Sequence, residues 1–313
     1  MTLIASGSLT PEVDPADFGL PPHTAVRWEV PDDRLRPFLS AYHVLDSDGP
    51  YFAGSPSPNW MLPGWPAIRV MLADRRMEFT IGNRRYDPVH VASLYGTTTR
   101  AAAVKSYGGV TIGASIGPLG WSRLFGAPAD RFRDRVVPLG EALPARVVED
   151  LVGRLRVLTD VVQVKSALDG FFLEQLGPPT RDEPTIAALA GVIEQGAITD
   201  LAQAAAAVGV DGGALRRLST RYFGFPPKTL LMRARFMRAF MPMLLTRTLD
   251  TAHVLGPYHD VPHFLRDARR FLTMTPRRFL ALEQPYVHAV YRAYVQVMTA
   301  DAAQRVGTGS APT

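Results

Sequence analysis

The chain has no cysteine among its 313 residues. This absence excludes disulfides, thiolate metal sites and cysteine nucleophiles. No uninterrupted apolar stretch reaches the length of about 18 residues that a membrane-spanning helix needs. The N-terminus also lacks the basic start and the sustained apolar segment of a secretory signal. Together these features predict a cytoplasmic protein.

Several signatures of catalysis are also missing from the sequence. It contains no nucleophile elbow of the G-x-S-x-G type, no P-loop and no H-E-x-x-H pair. The glycine-containing run at 107–120 lacks the spacing of a dinucleotide-binding loop, and loops between strands explain it better. We therefore expect neither an enzyme nor a bound cofactor.

Positive charge is present and unevenly distributed. The net charge is +5, but residues 211–280 contain 13 Lys and Arg against 4 Asp and Glu, so the remainder carries −4. A basic segment on a mildly acidic chain is typical of a phosphate-binding module. A solvated basic surface without a partner is the alternative, and charge alone does not separate the two.

The pattern of apolar residues divides the chain into segments. Residues 1–30, rich in Pro, Gly and small polar residues, predict an extended arm. Residues 31–143 predict a β-rich sandwich or barrel-like sensor domain, because short β-prone runs such as Ala67–Leu72 and Met77–Ile81 alternate with glycine turns. Beyond these, helical spacing predicts a linker at 144–183 that could dimerise and an all-helical domain at 184–284. A C-terminal helix with a disordered tail completes the chain at 285–313.

Two segments of the helical part repeat each other at a constant offset of 49 residues, without a gap. Asp211 corresponds to Asp260, Arg217 to Arg266, and Pro227 to Pro276, with further matches between them. Each segment begins with an Asp suited to cap a helix and follows a short helical run that ends in a glycine turn. Helix, tight turn and capped basic helix together predict two helix-turn-helix units.

Residues 198–282 resemble the DNA-binding domain of the AraC/XylS family of bacterial transcription regulators. The resemblance rests on Leu215-Arg-Arg, Gly224-Phe-Pro-Pro-Lys, the arginine-rich run from Leu231, Tyr258-His-Asp-Val-Pro-His-Phe-Leu-Arg-Asp, and Thr275-Pro-Arg-Arg-Phe. It implies two helix-turn-helix units joined by a long helix, behind an N-terminal sensor domain. It further implies double-stranded DNA as a partner, a small-molecule effector and a homodimer.

Some residues depart from the family pattern. Val261 stands where a base-reading glutamine is common, and Ser219 and Ala268 replace a mid-helix aromatic residue. Pro257 stands where the second turn has glycine, and Pro242 should kink or end the joining helix. The second unit is therefore expected to read bases less well than the first.

The resemblance and the helical spacing together indicate candidate contacts. Side chains near the start of each second helix are expected to face bases, where an arginine can contact guanine through two hydrogen bonds. The base-contact candidates are Gly213, Ala214, Arg216, Arg217, Val261, His263 and Arg266. Other exposed cations are expected to bind phosphates and so to position the protein without reading sequence. They are Arg221, Lys228, Arg269, Arg270, Arg277 and Arg278.

His259 and His263 form an H-D-x-x-H pattern, which can bind a metal. Since Asp260 is already explained as a helix cap and the sequence names no third ligand, we expect no metal site. In the N-terminal domain, large aromatic residues could line an apolar ligand pocket or simply form core. They are Trp60, Trp65, Phe79, Tyr95 and Trp121.

The leading hypothesis is a sequence-specific DNA-binding regulator whose N-terminal domain responds to a small molecule or partner. An alternative is a ligand- or protein-binding regulator whose helix-turn-helix units have lost specific DNA reading. An enzyme in the N-terminal domain has the least support from the sequence.

Overall fold

The computed structural model describes residues 3–52, 54–72, 76–250 and 252–308. An antiparallel β domain comes first and a helical region follows it, so the predicted α+β multidomain class is confirmed. The strands are β1 (Thr24–Glu29), β2 (Leu39–Ser47), β3 (Ser57–Met61), β4 (Ala67–Met71), β5 (Met77–Ile81), β6 (Arg84–Tyr86), β7 (Ala92–Tyr95), β8 (Ala102–Ser106), β9 (Gly109–Ile116) and β10 (Val136–Pro138).

The strands form two sheets. One has the order β1-β2-β9-β4-β7-β10 and the other β3-β8-β5-β6, with antiparallel pairing between all neighbours. Gly82, whose φ is 58°, makes the tight turn between β5 and β6, as glycine can adopt this conformation without a steric penalty. The β-rich domain therefore contains two sheets, and its first strand lies ahead of the predicted range 31–143.

The N-terminal segment departs from the prediction of an extended arm over residues 1–30. Thr24–Glu29 is β1, which pairs with β2 at the edge of the larger sheet, and Pro15–Phe18 forms a turn of 3₁₀ helix. Phe18 and Val26 are fully buried against Ala293 of the C-terminal helix. Proline and glycine punctuate this segment, but its apolar residues still supply part of a core.

Two short helices, α1 (Gly49–Phe52) and α2 (Pro118–Leu124), lie in the β domain, and the helices of the helical region follow them along the chain. They are α3 (Ala145–Arg156), α4 (Gln163–Gln175), α5 (Glu183–Gln195), α6 (Leu201–Val208), α7 (Gly212–Phe223), α8 (Pro227–Thr246), α9 (Ala252–Leu255), α10 (Val261–Leu272), α11 (Pro276–Leu280) and α12 (Pro285–Thr308). The predicted disordered tail falls at 309–313, outside the described residues. No helix in the described ranges is both long and apolar enough to cross a membrane.

Two hydrophobic cores cross the boundary between the β domain and the helices. The larger one runs from the β2–β9–β4 face of the six-stranded sheet through α2 to α7. The second one joins α8, α10, α11 and α12 and includes Leu62 and Ala101 from the β domain. The helical part is thus packed on the β domain over a continuous apolar surface.

Candidate nucleic-acid interface and cavity

A cavity of about 280 Å³ lies between the two sheets. Side chains of β2, β4 and β9 alternate across the larger sheet, so that His43, Arg69 and Thr111 face the cavity while Val44, Ile68 and Ile112 face the larger core. Helix α12 supplies a further wall through Tyr286, Val287, Val290, Tyr291 and Tyr294. The chain's own C-terminal helix therefore completes the cavity.

The five aromatic residues suggested as pocket lining divide into two groups. Trp60, Trp65 and Tyr95 line the cavity. Phe79 and Trp121 do not: each is 1% exposed and belongs to a hydrophobic core. Some of these aromatic residues therefore line the cavity, and others form core in the same domain.

The first helix-turn-helix unit consists of α6 and α7. The Asp200 side chain accepts hydrogen bonds from the backbone N–H groups of Ala202 and Gln203, so α6 begins at Leu201 rather than at the predicted Ile198. Gly209, with φ of 76°, ends α6. The carboxylate of Asp211 then accepts from Ala214 N at 2.8 Å and caps α7 as predicted.

Helix α7 separates an apolar side from a basic side. Leu215, Tyr222 and Phe223 are buried. Ser219 is also fully buried, and its hydroxyl donates to the Phe225 carbonyl at 2.6 Å, so the small residue fills the place of the family's aromatic. The opposite side is exposed at Gly213, Arg216, Arg217 and Arg221, with Ala214 half-buried and Lys228 of α8 exposed.

The second unit repeats this arrangement in α9 and α10. Asp260 caps α10 by accepting from His263 N at 2.6 Å. Phe264, Ala268 and Phe271 are buried, and Ala268 is 0% exposed, which leaves no room for a larger side chain without movement of its neighbours. The basic side is exposed at Arg266, Arg269 and Arg270 of α10 and at Arg277 and Arg278 of α11.

A polar network inside the second unit includes His263, one of the base-contact candidates. The Arg235 guanidinium of α8 donates to the buried Asp267 carboxylate at 2.7 Å and lies 3.0 Å from His263 Nε2. Tyr258 donates its hydroxyl to Asp267 at 2.8 Å, and burial raises the pKa of Tyr258 above its usual range. Since His263 is half-buried in this network and Val261 packs on the second core, Arg266 is the better exposed base-contact candidate of α10.

Helix α8 connects the two units directly, from Pro227 after the first to Thr246 before the second, and does not end at Pro242. Two capped helix-turn-helix units joined by one helix thus follow the β domain, in agreement with the predicted fold class.

Comparisons with known proteins found solved structures that are similar to this chain. Two crystal structures of ToxT from Vibrio cholerae are similar at 10% and 9% identity, with TM-scores of 0.40 and 0.43. They cover 72% and 82% of this chain and 96% and 97% of their own. The AraC-like transcriptional activator CuxR is similar at 12% identity and a TM-score of 0.22, over 70% of this chain and 87% of its own. No family model and no curated protein sequence matches the chain.

The arginines of α8, which belong to the basic segment 211–280 of the sequence, make internal contacts. Arg233 is buried, lies over the Trp65 ring at 4.3 Å and donates to the Gly64 and Thr98 carbonyls at 2.8 and 2.9 Å. Burial lowers its pKa to about 10. Arg238 donates to the Ile193 and Gly196 carbonyls at the end of α5.

Each of these arginines therefore ties α8 to a different neighbour. Arg233 holds the β domain, Arg235 the second unit and Arg238 helix α5. A buried arginine must find hydrogen-bond acceptors, because it keeps its charge. In the sequence, the apolar neighbours Leu231, Met232 and Phe236 were the available signal that this run faces protein rather than solvent.

Proposed function

We propose that this chain is a sequence-specific DNA-binding transcription regulator, non-enzymatic, whose activity responds to a small molecule bound between the two sheets. One observation carries the proposal. Both capped helices of the double helix-turn-helix bury their apolar sides and leave arginines exposed on the other side, near the helix starts. That is the arrangement by which such helices present side chains to the major groove.

The exposed cations sort into two roles. Arg216, Arg217 and Arg266 lie in the first half of their helices and are the proposed base contacts, with Gly213 and Ala214 allowing close approach. Arg221, Arg269 and Arg270 lie in the second half of their helices, and Lys228, Arg277 and Arg278 lie at the starts of α8 and α11. All six are proposed to bind phosphates, which fixes the position of the protein on the duplex. Val261 and His263 are more enclosed and contribute less in this proposal.

The response to an effector is supported by the segment that separates the cavity from the helices. Trp60, Trp65 and Thr98 line the cavity. Trp65 also contacts Phe223 of α7, at a ring-centroid distance of 5.9 Å, and Trp60 contacts Phe279 of α11 at 5.7 Å. A ligand that shifts this wall would act on both units, provided that it binds two arrangements of the wall with different affinity.

Selection of bound fragments from genomic DNA, followed by titration of a selected fragment against unrelated DNA, tests the proposal. We expect preferential binding of the selected fragment, with an affinity that falls steeply with salt as counterions are released. Arg216→Ala should remove about 1–3 kcal/mol of the preference between specific and unrelated DNA. Arg277→Ala should weaken both complexes alike and reduce the salt slope by about one.

Arg84→Ala is the matched control, because Arg84 is an exposed arginine on β6 of the β domain. It should leave affinity and preference unchanged. Equal affinity for all sequences, with Arg216→Ala and Arg266→Ala harmless, would instead favour the regulator that has lost specific DNA reading. Helices α3 and α4 remain the predicted site of a homodimer, which sedimentation of the full chain with and without DNA would test.

A further inference from the structure

The cavity contains a cation without a counterion. Arg69 of β4 lines it, and no Asp or Glu belongs to the described residues that do so. Its Nε atom is buried and has no hydrogen-bond partner among the described residues, while an Nη atom donates only to the Met61 sulfur at 3.3 Å. The guanidinium also lies 4.8 Å from the centre of the Tyr95 ring. A buried donor of this kind is costly unless a ligand satisfies it.

A second polar group without a partner stands beside Arg69 on the same face of the sheet. The strand register places His43 of β2 opposite Gly113 of β9, and Gly113 opposite Arg69 of β4. A side chain at Gly113 would collide with the His43 ring, since an added Cβ atom would lie 2.3 Å from it. The glycine therefore lets the imidazole lie over β9, in the space between its own strand and Arg69.

His43 is 2% exposed, and neither ring nitrogen has a partner in the described part of the chain. Burial, together with the nearby Arg69, lowers its pKa well below 6.5, so the ring is neutral at neutral pH. A neutral imidazole offers one N–H donor and one acceptor. The pair thus presents a single positive charge with an adjacent donor.

We propose, building on the effector cavity of the proposed function, that this cavity binds a small apolar monocarboxylate whose carboxylate lies between Arg69 and His43. Two features of the wall select this class. One arginine and a neutral histidine balance one negative charge, whereas a phosphate dianion would keep an uncompensated charge in an apolar site. Apolar and aromatic side chains, Trp28, Leu45, Met61, Val104 and Val290 among them, outnumber the Ser, Thr and Asn side chains of the lining, so the wall favours a ligand with an apolar body.

The volume sets an upper size for the occupant. At about 280 Å³ the cavity lies just below the usual range for small-molecule sites, roughly 300–1,000 Å³. The apolar part of the ligand would lie against α12, which supplies five of the lining residues. Medium-chain and bicyclic aromatic acids are therefore suitable test compounds.

Calorimetric titration of the full chain with octanoate and 2-naphthoate, each compared with its primary amide, tests the proposal. The amide keeps the shape and loses the charge. We expect at least one acid to bind and its amide to bind about tenfold or more weakly, because hydrogen bonds to a charged group are the stronger ones. Arg69→Gln should bring the acid down to the affinity of the amide, and Arg69→Lys should keep a preference for the acid.

Arg85→Gln is the control, since Arg85 is an exposed arginine of β6 that pairs with Glu78 and Asp87 outside the cavity lining. It should bind like the unmodified chain. Equal affinity for acid and amide, no binding of either pair by the folded chain, or an unchanged preference in Arg69→Gln would each overturn the proposal. DNA binding of the same preparations is measured separately. Sequence-specific DNA binding without a preference for the acid would reject only the proposed ligand. A preference for the acid without sequence-specific DNA binding would reject only the proposed DNA-binding function.

Discussion

At the scale of single residues, adjacent positions on α10 have opposite roles. Arg266 points into solvent, whereas Asp267 is 3% exposed and accepts hydrogen bonds from Arg235 and Tyr258. The charge of Asp267 compensates a partly buried guanidinium, and its loss would leave two donors without an acceptor. The internal packing of the second unit thus depends on one acidic residue in a segment that is mainly basic.

Asp267→Ala should lower the free energy of unfolding by about 3 kcal/mol or more, since removing one partner of a buried ion pair leaves the other charge uncompensated. Asp267→Asn should cost less, because its side-chain oxygen can still accept from Tyr258. Urea denaturation of the full chain measures both. Arg266→Ala is the matched control on the same helix and should change stability by no more than about 0.5 kcal/mol. Equal stability of the two alanine variants would show that the network contributes nothing.

At the scale of the helices, the capping residues decide where each recognition helix begins. Asp211 and Asp260 occupy equivalent places in the repeat, and each accepts a hydrogen bond from the backbone N–H three residues later. The 49-residue offset therefore corresponds to the same local geometry in both units. The pattern of apolar residues fixes the buried side of each helix, and the cap fixes its first residue.

Asp260→Ala should destabilise the chain by about 1 kcal/mol, within a range of about 0.5–2 kcal/mol, because the N–H group of His263 loses its acceptor. Asp260→Asn should be close to neutral, since asparagine caps helices equally well. Thermal unfolding monitored by circular dichroism gives the comparison. If alanine and asparagine had the same effect, the charge of Asp260 rather than its hydrogen bond would be responsible.

At the scale of the whole molecule, α12 joins the β domain to the helix-turn-helix units. Trp28 donates its indole N–H to the Val290 carbonyl at 3.1 Å, and Tyr286 donates its hydroxyl to the Ala25 carbonyl at 2.6 Å. On its other side, His288 Nδ1 lies 3.0 Å from the Leu244 carbonyl at the end of α8. Folding buries His288 of α12 and also His43 of β2, and burial lowers the pKa of each.

The free energy of unfolding should consequently fall as the pH drops below about 6.5. Above that value both histidines are neutral in the folded and the unfolded chain. Below it, the unfolded chain takes up protons that the folded chain cannot, at a cost of up to about 1.4 kcal/mol per pH unit for each histidine. Denaturant titrations at pH 7.5 and 5.5 measure the loss, which should be smaller in His43→Phe. An identical loss in this variant would contradict the assignment to His43.

Sequence periodicity and turn residues predicted much of this fold because they act locally. The Met77–Ile81 strand, the glycine turn after it and the two capped helices of the repeat appear where the pattern places them. Elements that form only through contacts with distant parts of the chain were harder to predict from the sequence. Thr24–Glu29 becomes a strand only because β2 lies alongside it, and the helical linker predicted at 144–183 contains two helices, α3 and α4.

The sequence by itself determined the fold class: a β domain followed by two equivalent basic helix-turn-helix units. Helical spacing and capping residues encode these features within a few turns of chain. Only the tertiary structure decided which arginines are free. Arg216 faces solvent while Arg233 is buried against the β domain, and Arg69 meets His43 across Gly113. The physical reason is that burial and charge compensation depend on residues far apart in the chain, which folding alone brings together.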